Sequence, residues 1–314
     1  MSWEDDLIDR RTSALIFLLA ILLQGCATAR TNRHLKQAVA VLEQRSDADS
    51  LAAAAMVLRI AEHKPENDAA LALLMRAVTA APERADLAWL DIQMCRQVPA
   101  CNPDSEERQL RELDPSNGVS WMSALARANA SNDEPARIAV LSALARADRV
   151  DIYWTTLIVH LTHALADTKK IPLQEALIEV IGVLATQAIP AYSGTSNLCK
   201  WERLQNDAVV QDCRRVALAL ERGDTVITEM IGLAIAQRLW AVDSPEWTAA
   251  AERRRVIKYR MQMESQSELH LEVGARWAEQ YLSLCAQNRR EQDVQLAEII
   301  KAGKSADPPV DWAP

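Results

Sequence analysis

Glycine and phenylalanine are scarce in this chain, which has eight glycines and one phenylalanine in 314 residues. A β-sandwich or a nucleotide-binding α/β enzyme needs more glycine than this, for tight turns and for phosphate-binding loops. Basic residues are also in deficit, with 35 Lys and Arg against 43 Asp and Glu and a net charge of −8. General nucleic-acid binding requires a basic surface, so we expect no nucleic-acid partner. The many alanine, leucine, glutamate and arginine residues instead predict an all-α protein.

The sequence motifs of common enzymes are missing as well. The chain has no Gly-x-Ser-x-Gly elbow, Walker loop, dinucleotide fingerprint or His-Glu-x-x-His. Its glycine–hydroxyl cluster, Ser193-Gly194-Thr195-Ser196, lacks the lysine that a phosphate loop carries. His160 and His163 have a spacing suited to two metal ligands on one helix face, but no third ligand can be named. We therefore predict that the protein is not an enzyme and has no catalytic residue, metal site or cofactor.

The amino-terminal region has the pattern of a secretory signal. Arg10 and Arg11 precede an apolar run of about a dozen residues, which is shorter than the ~20 residues of a transmembrane helix. The run ends in Leu23-Gln24-Gly25-Cys26, which resembles the lipobox of bacterial lipoproteins. That resemblance implies a signal peptide over 1–25, cleavage after Gly25 and a lipid on Cys26. The alternative is an ordinary cleaved signal in which Cys26 is incidental.

The residue after Cys26 bears on the destination of the chain. Ala27 stands where an aspartate marks inner-membrane retention in enterobacterial lipoproteins, so the resemblance implies the outer membrane, with the protein lipid-anchored and facing the periplasm. Acidic residues at positions 4 to 6 and 9 are unusual for the start of a signal. One hypothesis is that translation begins near Leu7.

The spacing of the other cysteines agrees with export to an oxidising compartment. Cys95 and Cys101 lie close in sequence, and Cys199 and Cys213 close a loop of fifteen residues. We predict a disulfide within each pair, because neither pair has the Cys-x2-Cys or histidine spacing of a zinc site. Cys285 is left over, and we expect it to be a buried, unpaired thiol.

A repeat of about 33 residues runs through the first half of the chain. Trp89, Trp121 and Trp154 are separated by 32 and 33 residues, and each follows a helix-breaking stretch. Each period contains two helical stretches. We predict the first helices over 51–63, 84–97, 117–130 and 150–166, and the second helices over 66–80, 104–113, 133–146 and 172–187.

Paired helices of this period resemble the tetratricopeptide repeat over residues 49–190. The best copy is 113–128, which has a proline before the first helix (Pro115) and a tryptophan six residues later (Trp121). The resemblance implies that first helices line a groove for a protein or peptide. The groove residues it implies are Met122, Ala126, Asn129, Thr155, Val159 and Thr162. The alternative is a non-repeating helical bundle, and in either case the tryptophans are expected in the core.

The rest of the chain is predicted to be helical without repeating. Region 26–48 is a lipidated linker with a first helix, 191–302 a C-terminal helical bundle, and 303–314 a proline-rich tail that either frays or packs Trp312 on the body. Within the bundle we predict a break over 191–197, which is either an extended loop or a boundary, and helices over 200–222, 225–240, 245–265 and 268–302. The basic run 253–260 is interpreted as a solvated face, with contact to an anionic surface as the alternative.

Taken together, these features predict a non-enzymatic periplasmic lipoprotein. Helical repeats form extended surfaces that suit proteins and peptides, so we expect a scaffold for protein–protein interaction in the cell envelope, bound to the membrane through the lipid on Cys26. One alternative is an immunity or inhibitor protein for a toxin directed to the periplasm. A further alternative is a peptidoglycan-acting enzyme, which a deep polar pocket with a perturbed acid in 191–302 would favour.

Overall fold

A computed structural model describes residues 33–61, 68–98, 101–187, 189–190, 192–200, 206–265 and 274–313. In this part of the chain the secondary structure consists of fifteen α-helices without a β-strand, which confirms the all-α prediction. The predicted signal peptide over 1–25 and the lipidation site Cys26 lie outside the described residues. Among the described helices, none combines the length and the apolar character that crossing a membrane requires.

Nine helices make up the first half. Helix α1 spans 33–42, and the next eight form four pairs: α2 (Ala48–Ala61) with α3 (Asp68–Ala80), α4 (Ala85–Cys95) with α5 (Asp104–Leu113), α6 (Val119–Ala130) with α7 (Glu134–Leu144), and α8 (Trp154–Ala166) with α9 (Leu173–Gln187). The two helices of each pair pack against each other. All eight agree with the sequence prediction to within four residues at each end.

Local signals in the sequence explain several of these boundaries. The Asp133 carboxylate accepts a hydrogen bond from the backbone N–H of Ala136 at 3.0 Å and so caps α7, with Pro135 in the first turn. Of the three periodic tryptophans, Trp89 and Trp154 are buried as expected, whereas Trp121 is only partly buried against the core. The paired helices and the burial of two tryptophans could therefore be predicted from the composition of the chain and from the spacing of the tryptophans.

The four pairs do not form the open array that the tetratricopeptide resemblance implies. In such an array each pair contacts only its neighbours, whereas here α2 of the first pair packs directly on α8 of the fourth. Nδ1 of His160 on α8 lies 2.8 Å from a carboxylate oxygen of Asp49 on α2. The Arg45 guanidinium, just before α2, donates to the backbone carbonyl of Asp167 at 3.3 Å. The first and the fourth pair are thus in direct contact.

Six helices follow the pairs: α10 (Ser193–Leu198), α11 (Asp207–Glu221), α12 (Val226–Leu239), α13 (Pro245–Ser265), α14 (Ala275–Gln287) and α15 (Glu291–Lys301). The closest packing is between α11 and α12. A Cβ on Gly232 of α12 would lie 2.7 Å from the backbone carbonyl oxygen of Ala217 on α11, so only glycine permits this approach.

Three sequence predictions for this half were wrong. The helix predicted over 200–222 begins at Asp207, because Asn206 is extended and caps it by accepting a hydrogen bond from the backbone N–H of Ala208 at 2.9 Å. In place of an extended loop, the segment 191–197 contains most of α10, which packs on α6; Tyr192 just before this helix and Leu198 at its end are buried. The single helix over 268–302 is two helices, because the backbone is extended at Asn288 and Arg290. Between them, Arg289 forms a salt bridge with Asp151 in the first half of the chain.

The basic run 253–260 is largely occupied by contacts within the protein. Arg253 pairs with the buried Glu229 at 2.5 Å, and Arg255 donates to the backbone carbonyl oxygens of Pro309 and Trp312. The Trp312 ring stands edge-on to Tyr259, with 5.3 Å between the ring centroids. The run therefore holds a neighbouring helix and the carboxyl-terminal tail, which corrects its interpretation as a solvated face.

The structure brings both predicted cysteine pairs to disulfide distance. The Cα atoms of Cys95 and Cys101 are 5.3 Å apart, and those of Cys199 and Cys213 are 5.6 Å apart. The first bridge spans the turn between α4 and α5, and the second joins the end of α10 to α11. Cys285 is free and buried, as expected.

Candidate functional site

Half of the residues predicted to line the repeat groove are covered by the C-terminal helices. Met122, Thr155 and Thr162 are all buried. The Thr195 hydroxyl on α10 donates to the Met122 sulfur at 3.4 Å, and the Thr155 hydroxyl donates to the backbone carbonyl of Arg289 at 3.1 Å. These three side chains therefore serve internal packing in this structure, which corrects the expectation that they face a partner.

The other three predicted groove residues are partly exposed. Val159 is half-buried against the core. Ala126 and Asn129, on the last two turns of α6, line a polar cavity of about 520 Å³. This cavity is the candidate functional site. Its remaining walls come from α7, from α10 and from the residue that follows the second disulfide: Arg137, Ser193, Gly194, Asn197 and Lys200.

Arg137 supplies a buried charge to the cavity. Its Nη2 donates to the side-chain oxygen of Asn132 at 2.8 Å and lies 3.1 Å from a carboxylate oxygen of Glu134, while its Nε donates to the carbonyl of Asp133 at 3.4 Å. Asn132 has a left-handed backbone with φ of 54°, a conformation that asparagine tolerates better than most residues. The turn before α7 therefore fixes the position of the guanidinium.

Asn129 approaches α10 at the position of Gly194. A Cβ built on Gly194 would lie 2.3 Å from Nδ2 of Asn129, so the absence of a side chain at Gly194 makes room for the amide. The Nδ2 atom is buried and has no hydrogen-bond partner among the described residues. A buried amide donor without a partner is costly, and its presence on a cavity wall is typical of a position that a ligand can satisfy.

The charge of the cavity is positive. Among the residues that the structure describes, Arg137 and Lys200 line it and no carboxylate does. The acid nearest to Arg137 is Glu134, whose side chain is 54% exposed. Beside the cavity, Arg238 donates to the Ser196 hydroxyl on α10 at 3.1 Å. The combination of cations, amides and a hydroxyl favours a ligand that accepts hydrogen bonds and carries negative charge.

The wall made by α10 is attached to the rest of the protein by a covalent bond. Cys199 directly follows α10 and forms the bridge to Cys213 on α11. Lys200 comes next, so the disulfide lies beside one of the two cations of the cavity. The Cys199–Cys213 bridge therefore restricts how far Lys200 can move from Asn129.

A larger groove, of about 1040 Å³, lies near α1, α8 and α9. Its lining includes His34, His163, Lys169, Glu175 and Glu279, a mixture of both charge signs that selects no class of ligand. The predicted histidine pair is divided here, because His160 is engaged by Asp49 whereas His163 is exposed in the groove. Among the described residues, no group of three or more His, Cys, Asp and Glu side chains is placed to hold a metal ion.

Perturbed acids do occur in the C-terminal half, but as parts of the packing. Burial and the neighbouring charge of Asp151 raise the pKa of Asp224. Its two carboxylate oxygens accept hydrogen bonds from the backbone N–H groups of Ile152 and Trp154 at 2.9 and 2.8 Å. Burial also raises the pKa of Glu291 to about 7, and its carboxylate accepts from the backbone of Val226 at 2.7 Å. Neither acid lines the two cavities described above.

Comparisons with protein-family models, with curated proteins and with solved structures found no match to this chain. The site is therefore defined by geometry alone. Sequence reasoning found Ala126 and Asn129 through the helical repeat, but it missed Arg137 and Lys200. The glycine–hydroxyl cluster at Ser193 was noted as lacking a lysine, and the fold places Lys200 at the same cavity from outside that motif.

Proposed function

We propose that this chain is a lipoprotein of the bacterial outer membrane, anchored by a lipid on Cys26 and facing the periplasm, that binds another envelope protein or peptide. Binding takes place at the cavity lined by Asn129, Arg137 and Lys200. In this proposal the helical body acts as a scaffold without catalysing a reaction.

Three observations support this proposal. The lipobox resemblance at Leu23 to Cys26 supports the anchor, and two cysteine pairs at disulfide distance agree with an oxidising compartment. The observation that carries the binding role is the polar cavity itself, since two residues predicted to face a partner line it together with two cations. A concave site with a few converging polar groups is the usual form of a recognition site.

The binding role is tested by photo-crosslinking in intact cells. A photoreactive amino acid is placed at Asn197, which is exposed on the cavity wall, or at Val310, which is fully exposed on the carboxyl-terminal tail. We expect a discrete crosslinked protein species from position 197 that position 310 does not give. The same pattern from both positions, or no species from position 197, would contradict the binding role.

A further inference from the structure

We infer that the cavity between α6, α7 and α10 binds an oxyanion, the carboxylate or phosphate group of a ligand. The inference deepens the proposed function, because it names the chemistry by which a partner would be recognised at the same cavity. It also stands separately, since a small anion can be tested on the purified protein without the partner.

The first argument is the donor capacity that the cavity leaves unused. Nδ2 of Asn129 is buried without a partner. Within the described residues Nη1 of Arg137 makes no hydrogen bond, although Nε and Nη2 of the same guanidinium are engaged. Lys200 is exposed and forms no ion pair with the described residues. The three residues that carry these donors come from three parts of the chain and line one cavity.

The second argument is the sign and the burial of the charge. Arg137 is 7% exposed, and a buried guanidinium requires acceptors to compensate the loss of water. Its present acceptors are a side-chain amide oxygen, a backbone carbonyl and the largely exposed Glu134. The unused Nη1 belongs to a charged group, and its hydrogen bond to a carboxylate or phosphate oxygen is stronger than one to a neutral acceptor. An oxyanion therefore completes the coordination of Arg137 and meets Lys200 at the same time.

The experiment is calorimetric titration of the full acylated protein in detergent micelles with sodium phosphate and, separately, with sodium acetate. Sodium chloride at the same ionic strength is the blank. We expect saturable binding of at least one ion above the blank. Binding of phosphate alone assigns the site to a phosphate group, and binding of acetate alone assigns it to a carboxylate. Saturation by neither ion would overturn the inference.

Charge variants locate the binding. Lys200→Gln should weaken it about tenfold, as expected for the loss of one charge-assisted hydrogen bond. Lys301→Gln makes the same charge change at an exposed position on α15 and should leave the affinity unchanged. Glu134→Gln removes the acid beside Arg137 and should strengthen binding. If Lys200→Gln and Lys301→Gln weakened anion binding equally, the effect would be one of net charge, and this result would contradict binding at the cavity.

A pair of glycine variants tests the geometry without changing any charge. Gly194→Ala places a Cβ against the Asn129 amide and should weaken binding by displacing Nδ2. Gly182→Ala is the matched control, because a Cβ there meets nothing within 4 Å. An unchanged affinity in Gly194→Ala would contradict the role of Asn129.

The titration and the crosslinking experiment distinguish the two proposals. Ion binding without a crosslink at position 197 would support the oxyanion site and contradict the proposed protein partner. A crosslink without ion binding would support the partner and contradict the oxyanion site.

Discussion

The carboxylate of Asp224 accepts a hydrogen bond from the backbone N–H of Trp154 at 2.8 Å, across seventy residues of sequence. Its other oxygen accepts from the backbone of Ile152, so one buried side chain holds the start of α8 against the start of α12. Arg289 strengthens the same junction through its salt bridge with Asp151. The repeat half and the C-terminal half are thereby joined by buried polar contacts as well as by apolar packing.

Removal of the Asp224 carboxylate should destabilise this junction. Asp224→Ala leaves two buried backbone N–H groups without acceptors, and we expect the free energy of unfolding to fall by about 2–4 kcal/mol. Asp224→Asn keeps one acceptor oxygen and should lower the free energy of unfolding by less. Urea unfolding measures both values, with Asp311→Ala on the exposed tail as the control. A midpoint for Asp224→Ala equal to that of the control would contradict the bridging role.

The buried Asp91 on α4 should make stability depend on pH. Burial, together with the charge of Glu106, raises the pKa of Asp91 from 3.8 to about 7. The folded state therefore binds the proton more tightly than the unfolded state, so stability from this group is fully present below pH 3.8 and is lost as the pH rises to 7. Asp91→Asn cannot ionise and should avoid that loss.

We expect Asp91→Asn to gain stability relative to the wild type between pH 4 and pH 8, by up to about 4 kcal/mol. Urea unfolding of both proteins at pH 4, 6 and 8 measures the difference in the free energy of unfolding. The other acids of raised pKa are present in both proteins, so their contributions to this difference cancel. A difference that does not change with pH would show that folding leaves the pKa of Asp91 unchanged and would contradict the prediction.

The state of the cysteines gives a third prediction. Burial raises the pKa of the Cys285 thiol to about 12, so it should be inert to thiol reagents in the folded protein. After denaturation of the acylated protein without a reductant, one thiol should react, because the lipid blocks Cys26, and mass spectrometry should place it at Cys285. The four bridged cysteines should react only after reduction. Labelling of Cys95 or Cys199 in unreduced, denatured protein would contradict the corresponding bridge.

The helix pairs were predictable from the sequence because their signals are local. Asp133 with Pro135 marks the start of α7, and the tryptophan spacing marks the period. At the break between α14 and α15, Arg289 contacts Asp151, 138 residues earlier in the sequence, and a contact over this distance leaves no local signal. Sequence reasoning cannot find a boundary that a distant partner decides.

The candidate site also contains residues that the sequence predicted and residues that it did not. Ala126 and Asn129 lie on a predicted first helix, and the repeat resemblance suggested that this helix faces a ligand. Lys200 reaches the cavity because α10 packs on α6, a contact between segments about seventy residues apart in sequence. The burial of Met122 has the same cause. Periodicity identified the face of the helix, but it could not show which helices would later cover that face.

The proposed lipid anchor gives a fourth prediction. Cys26→Ser should abolish incorporation of labelled palmitate and release the protein from the membrane fraction, because several acyl chains hold a protein firmly and a protein without them has no anchor. Cys285→Ser removes a buried thiol and is the matched control, with labelling unchanged. Membrane retention after Cys26→Ser, with no palmitate in the wild type, would contradict the anchor.

The contact between α2 and α8 limits how this protein can change during evolution. An open array of helix pairs gains or loses a pair by duplication or deletion, and the remaining interfaces are preserved. Here an inserted pair would separate Asp49 from His160, and a deleted pair would leave the two helices unable to meet. The addition or loss of a pair would therefore require a new partner for α2 and for α8, whereas changes in exposed side chains and in the loops between helices leave this contact in place.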